Sequence, residues 1–196
     1  MSEQHWDDVY TSKEHGDLSW YQAIPATSVR LVTAATDAGN VIDVGAGAST
    51  LPDELVGRGY AITVLDVAPS AIDTVKRRLG DRATYLVTDL LSWVPTATYD
   101  VWHDRAVFHF LTDPAAQAAY VALAATAVGP SGVIVLGTFA PDGPTVCSGL
   151  PTSRHDADSL ALLFAADFAL VSSEREEHLT PWGAAQPFTW VTLRRR

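Results

Sequence analysis

The stretch Val41-Ile42-Asp43-Val44-Gly45-Ala46-Gly47-Ala48-Ser49 decides how this sequence is read. A short apolar run of strand type, interrupted by one acid, meets two glycines flanking Ala46, and helix-forming residues follow from Leu51. Gly45 and Gly47 let the backbone approach a ligand closely, and the next helix begins with N–H groups that have no partner within the helix. The plainer alternative is a tight strand-to-helix turn with no ligand. The next strand-like run weighs against it, because Thr63-Val64-Leu65-Asp66 puts a second aspartate 23 residues after Asp43. An acid about 20 residues beyond a glycine turn is where ribose hydroxyls are received in dinucleotide-binding folds. Asp66, followed by Val67, is therefore the expected ribose ligand, with capping of the helix near Pro69 as its other use. A third acid, Asp89, precedes Leu90 after the run Thr84–Val87 and is placed to accept from an adenine amino group. Strand ends line up in a parallel sheet, so Asp43, Asp66 and Asp89 should share one crevice.

Working outward, short apolar runs alternate with helix-length segments, the pattern of an α/β fold around a mainly parallel sheet. Strands are expected at Val41–Val44, Ala61–Leu65, Thr84–Val87, Tyr99–His103 and Val133–Thr138, and helices at about Leu51–Gly57, Pro69–Leu79 and Pro114–Val128, the last capped by Asp113. Past residue 140 the rhythm breaks. A Pro- and Gly-rich loop, Pro141 to Pro151, leads to a helix near Asp156–Phe164 and then to Phe168–Arg175 and Gln186–Leu193, which read as an antiparallel hairpin at a sheet edge. Before residue 25 lies a polar segment with scattered aromatics, helical or irregular. Helix-type residues then follow Pro25 as far as Gly39. One domain is expected over residues 1–196: an aromatic arm or lid over 1–24, a cofactor-binding core over 25–140, and an acceptor loop with the terminal hairpin over 141–196.

Composition limits the function. The 196 residues carry 13 Lys and Arg against 23 Asp and Glu, a net charge of −10 that repels a phosphate backbone, so no nucleic-acid partner is expected. Arg194, Arg195 and Arg196 form the one basic cluster and read as a solvated end. Cys147 is the single cysteine, which forbids an internal disulfide and any multi-cysteine metal site and suits a reducing cytoplasm. The stretch Met1–Asp8 has no leader character and no apolar run reaches the ~20 residues that span a bilayer, so neither secretion nor a membrane partner is expected. No metal is expected. A monomer or homodimer acting on a small molecule is the anticipated state.

These motifs resemble those of class I S-adenosylmethionine-dependent methyltransferases. Asp43-Val44-Gly45-Ala46-Gly47 resembles their first motif, Val64-Leu65-Asp66 their ribose motif and Thr88-Asp89-Leu90 their adenine motif; Ser49 stands where a third glycine is common. The resemblance implies a doubly wound seven-stranded sheet of order 3-2-1-4-5-7-6 with strand 7 antiparallel. It also implies S-adenosylmethionine as cofactor, S-adenosylhomocysteine as product, and Asp43 near the methionine amino end. A narrower likeness joins Trp102-His103-Asp104-Arg105-Ala106 to the Trp-Asp-Arg-Gly-Ala stretch of thiopurine and related thiol methyltransferases, with Ser19-Trp20-Tyr21-Gln22 as the aromatic arm over the cofactor. That likeness implies Arg105 at the acceptor site, within reach of the cofactor too. His103 is an insertion relative to the pattern.

Methyl transfer from a sulfonium is an in-line displacement, so alignment and a dry pocket are the main demands on the protein. A thiol acceptor needs only deprotonation: Arg105, beside Asp104, would favour the thiolate, and His103 or His109 would take the proton. Arg154, His155 and His178 are lesser loop candidates, and Cys147 reads as a bystander. Rival readings are a protein or peptide methyltransferase, a non-catalytic cofactor-binding module, and an NAD-dependent dehydrogenase. The dehydrogenase is disfavoured because Thr50 occupies the place of the third glycine of Gly-x-Gly-x-x-Gly.

Overall fold

Near-continuous apolar runs, rather than strict alternation, mark strands buried on both faces. The computed structural model, which describes residues 2–196, shows this at the centre of the sheet: β1 (Asn40–Val44) is buried from Val41 onward, and β2 (Ala61–Asp66), β3 (Thr84–Val87), β4 (Tyr99–Arg105) and β5 (Val128–Phe139) lie parallel to it. Met1, at the head of the stretch expected to lack leader character, lies outside the described residues. Two strands of a small ribbon, β6 (Val146–Cys147) and β7 (Leu150–Pro151), stand apart from the sheet, within the segment expected to be loop. The final pair, β8 (Phe168–Leu179) and β9 (Ala185–Arg195), completes a seven-stranded sheet of order β3-β2-β1-β4-β5-β9-β8, with β9 antiparallel to both neighbours. Counting only main-sheet strands, this is the expected 3-2-1-4-5-7-6.

Helices cover both faces. Beneath one, α2 (Ala26–Ala35), α3 (Leu51–Gly57) and α4 (Pro69–Leu79) pack Leu31, Val32, Leu51, Leu55, Ile72 and Val75 on Val41, Val64, Val101 and Val135. On the other, α5 (Pro114–Ala127) and α6 (Ala157–Phe164) set Tyr120, Val121, Leu160 and Phe164 against Ile42, Leu65, Trp102 and Ile134. Odd and even residues of each strand feed different layers, as the pleat requires. The arm resolves as a helix, α1 (Glu3–Ser12), capped by Ser2 and packed through Trp6 and Tyr10 on Leu18, Ala68 and Ala71.

Several boundaries move. Asp113 caps α5 by accepting from Ala115 N, as expected, and Asp156 caps α6 by accepting from Ser159 N, so that helix starts at Ala157. Strand β4 runs on through Arg105, and β5 begins at Val128 directly after α5. The pairing shifts from Tyr99↔Val128 to Val101↔Val133 across an irregularity. The terminal arginines are not a free tail: Arg194 donates to Ser131 O, Arg196 donates to Phe168 O, and the Arg195 guanidinium sits 5.3 Å over the Phe168 ring. Ladder bonding, invisible in composition, claims them.

Candidate active site

The cleft opens where β1, β2 and β4 end. After Asp43 the chain turns through Gly45 at φ +59° and Gly47 at φ +56°, left-handed conformations that a side chain strains. Close packing adds to the demand. A Cβ at Gly45 would stand 2.0 Å from Val107 Cγ2, and one at Gly47 would stand 2.1 Å from the Tyr10 hydroxyl. Ser49, in place of a third glycine, turns its hydroxyl to accept from Leu51 N. Arg78 of α4 clamps the turn from below, donating to the Ala48 and Ser49 carbonyls and to Asp53 of α3.

The acids behave differently from one another. Asp66 is buried and accepts from Gly47 N (2.7 Å) and Ala68 N (2.8 Å), so it ties the glycine turn to the residue that precedes α4, while the N-cap of that helix is Ala68 rather than Asp66. Each carboxylate oxygen has a second lone pair for a ligand hydroxyl. Burial, with the Asp43 charge adding to it, pushes the Asp66 carboxyl up to about 6. Asp89 accepts from Leu91 N and lines the cleft beside Leu90 and Val67. Asp43 accepts from His103 through Oδ1, while its buried Oδ2 has no hydrogen-bond partner among the described residues. A buried carboxylate oxygen without a partner is costly, and a bound cation would relieve it.

Arg105, His109, Phe139 and Phe188 also line the cleft, with Trp20 and Tyr21 of the arm, and Arg105 is near enough to Asp43 to feel its charge. Arg105 donates from Nη1 to the Trp20 carbonyl at 2.8 Å and lies 5.1 Å over the Phe188 ring; its buried Nε and Nη2 have no hydrogen-bond partner among the described residues. Burial lowers its pKa to about 10, which leaves it charged at neutral pH. His109 stacks on Phe139 at 4.1 Å with both ring nitrogens unpartnered, and burial, reinforced by the Arg105 charge, holds it down at about 3. It is a neutral hydrogen-bonding group there and a feeble base, which corrects its expected role in taking a proton.

Two further expectations are corrected. Asp104 faces the opposite layer, accepting from Tyr120 Oη (2.6 Å) and Val107 N (3.0 Å); it props the turn at Ala106, where φ is +73°, and lies outside the cleft. Burial pushes its carboxyl up to about 6. The pleat explains the split, since neighbours along β4 must point to opposite faces. His103 does line the cleft, but both ring nitrogens are engaged, Nδ1 at 2.7 Å from Asp43 Oδ1 and Nε2 at 2.9 Å from Ser28 Oγ. Neither can serve an acceptor while those bonds hold.

His178 lies on β8 rather than in a loop, 2.7 Å from the Ser19 carbonyl, and Arg154 donates to Pro141 O; neither lines the cleft, nor does His155. Cys147 reaches the cleft wall, where burial raises its thiol pKa, as an inert group would show. Reading the sequence missed Ser28 and Glu176. Glu176 accepts from Gln22, Thr27 and Trp190, fastening the end of the arm to β8 and β9. Ser28 had a faint signal, a small polar residue on the stripe that buries Leu31 and Val32.

Residues 41–132 match a family described as a methyltransferase domain. The sheet order and its antiparallel β9 agree with solved methyltransferase structures. This is the class I methyltransferase fold. A structure solved for the conversion of a disulfide bond into a thioacetal group during echinomycin biosynthesis superposes with a TM-score of 0.81 at 23% identity, covering 99% of this chain and 93% of that one. A second is the 1,6-didemethyltoxoflavin-N1-methyltransferase of Burkholderia thailandensis, bound to 1,6-didemethyltoxoflavin and S-adenosylhomocysteine, with a TM-score of 0.74 at 22% identity, covering 99% of this chain and 84% of that one. A curated relative, malonyl-[acyl-carrier protein] O-methyltransferase 1 of Ilyobacter polytropus, is 28% identical over 38% of this chain and 29% of its own. The matched regions span less than half the length of such curated relatives. S-adenosylmethionine is the cofactor of this fold. The cleft suits it: the lone Asp43 Oδ2 meets the need of an ammonium group, and Asp66 and Asp89 line the same edge.

Proposed function

We propose that this chain is an S-adenosylmethionine-dependent methyltransferase whose acceptor is a small molecule with a soft, ionisable nucleophile, a thiol first of all. One observation carries the reading. Within a single cleft, a buried carboxylate oxygen of Asp43 and two buried guanidinium nitrogens of Arg105 lack partners among the described residues. A cationic donor end answers the first and an anionic acceptor the second.

The donor supplies a methyl group on a positively charged sulfur. Asp43 holds its amino end, the Gly45–Gly47 turn admits its backbone-facing edge, Asp66 receives the ribose hydroxyls, and Asp89 with Leu90 and Val67 borders the adenine. Arg105 favours the ionised acceptor, and His109, neutral against Phe139, orients it by hydrogen bonding. Phe139 and Phe188 keep water from the reacting line, which strengthens every charge interaction inside. Trp20 and Tyr21 close the side from which the acceptor enters. Neighbours of the same fold act on sulfur chemistry and on a small heterocycle, which supports a small acceptor over a protein.

Calorimetric titration with S-adenosylmethionine, S-adenosylhomocysteine and NAD, followed by a screen of thiols, carboxylates and amines for methylation, tests the reading. Binding of both adenosyl compounds and not NAD is expected, with thiols leading the screen. Preferential binding of NAD would overturn it.

A further inference from the structure

We propose that His103 is a positioning residue that fixes the donor-binding oxygen of Asp43, and that Ser28 of α2 anchors it. The inference rests on the assignment of Asp43 to the amino end of S-adenosylmethionine. Asp43 and His103 are direct register partners on the parallel strands β1 and β4, so their side chains emerge on the same face. Both are 3% exposed, and the His103 Nδ1 to Asp43 Oδ1 distance is 2.7 Å.

A carboxylate oxygen only accepts, so Nδ1 carries the hydrogen. The far nitrogen, Nε2, lies 2.9 Å from the hydroxyl of Ser28, itself 1% exposed, and in the neutral ring it accepts that hydroxyl's hydrogen. Asp43, which can only accept, fixes the tautomer, and Ser28, whose hydroxyl can donate, completes it by engaging the other nitrogen. The chain Ser28–His103–Asp43 thus pins Oδ1 and leaves Oδ2 as the one oxygen facing the ligand. Packing holds the ring in place as well, since Trp190 lies alongside at 6.1 Å between centroids. With both nitrogens engaged, His103 acts through Asp43 and does not touch the reacting atoms.

Binding measurements with two probes separate this role from general structural support. S-adenosylhomocysteine carries the amino group; 5′-methylthioadenosine has the same adenosine part without it. His103→Phe should weaken S-adenosylhomocysteine by about tenfold or more, the scale of hydrogen bonds to a charged group, and leave 5′-methylthioadenosine within about twofold. His103→Asn, whose amide nitrogen stands near the place of Nδ1, should recover most of the loss. Ser28→Ala should show the same selectivity at a few-fold. If His103→Phe fails to fold, the Asn and Ala variants carry the test. Equal weakening of both probes, or unchanged S-adenosylhomocysteine binding in the variants, overturns the proposal. A parent protein that binds neither probe overturns the methyltransferase reading instead.

Discussion

The donor and acceptor sides proposed for the cleft are built on different plans. On the donor wall, Asp66 already accepts two backbone N–H groups and Asp43 is held by His103, so most polar groups are satisfied before anything binds. On the acceptor wall, Arg105 leaves two N–H groups unpartnered and His109 leaves both ring nitrogens so. The difference teaches where specificity is stored. A preformed donor wall takes a ligand with little rearrangement, whereas an unsatisfied acceptor wall rejects any molecule unable to complete it, because unmade buried hydrogen bonds are expensive.

The sharpest way to break the comparison is at the glycine turn. Gly45→Ala places a Cβ 2.0 Å from Val107 Cγ2 at a left-handed backbone position, and the joint cost of strain and overpacking is roughly 2–5 kcal/mol. Loss of S-adenosylmethionine binding by calorimetry and a lowered Tm are expected. Parent-like affinity would mean that the donor wall is plastic.

Arg105→Met addresses the other wall. Turnover on a thiol should fall on the order of a hundredfold, the scale of removing a group that stabilises charge in the reacting complex, while the donor Kd stays within about twofold. Raising the pH should restore part of the rate by ionising the thiol without help. If Arg105 instead holds the donor carboxylate, the variant loses donor affinity and shows no rescue, and the two walls merge into one.

Asp66→Ala should weaken S-adenosylmethionine by roughly 1–3 kcal/mol, read by calorimetry on variant that retains its far-ultraviolet spectrum. Unchanged affinity would reduce Asp66 to a structural tie between Gly47 and Ala68.

The smallest effect concerns pH. Asp66 and Asp104, pushed up to about 6 by burial, bind protons more tightly folded than unfolded. Their contribution to stability is therefore present in full below the ordinary carboxylate value, declines as pH rises, and is lost above about 6. Burial holds His109 at about 3, and its contribution, lost as pH falls below the ordinary imidazole value, runs the other way. The carboxyl effect is therefore read by difference: in denaturant unfolding the parent should gain on the order of 1 kcal/mol relative to Asp104→Asn on going from pH 7 to pH 5. Asp104→Asn should leave donor binding unchanged, whereas no gain relative to that variant would assign the effect to Asp66 alone.

How much of this was legible in the sequence depends on the range of the interaction. Local chemistry set the glycine turn, the acids at strand ends, the cap at Asp113 and the alternation of strands with helices, because each depends on residues within one strand or turn, whereas the sheet order was an implication of the family resemblance. The role of β4 was not local. Trp102-His103-Asp104-Arg105 reads as one site wall, yet the pleat sends Asp104 to Tyr120 in one layer and Arg105 to the Trp20 carbonyl in the other. The partner of His103 lies 60 residues away on β1 and its second partner 75 residues away on α2. Those contacts exist because parallel pairing sets Asp43 beside His103 and helix packing delivers Ser28, and neither register nor packing is written in any short stretch of chain. The sequence by itself determined which chemistry the carboxyl edge of the sheet can hold. Only the tertiary structure decided which of those groups are already satisfied and which await a ligand, since satisfaction of a buried polar atom is a property of its neighbours in space.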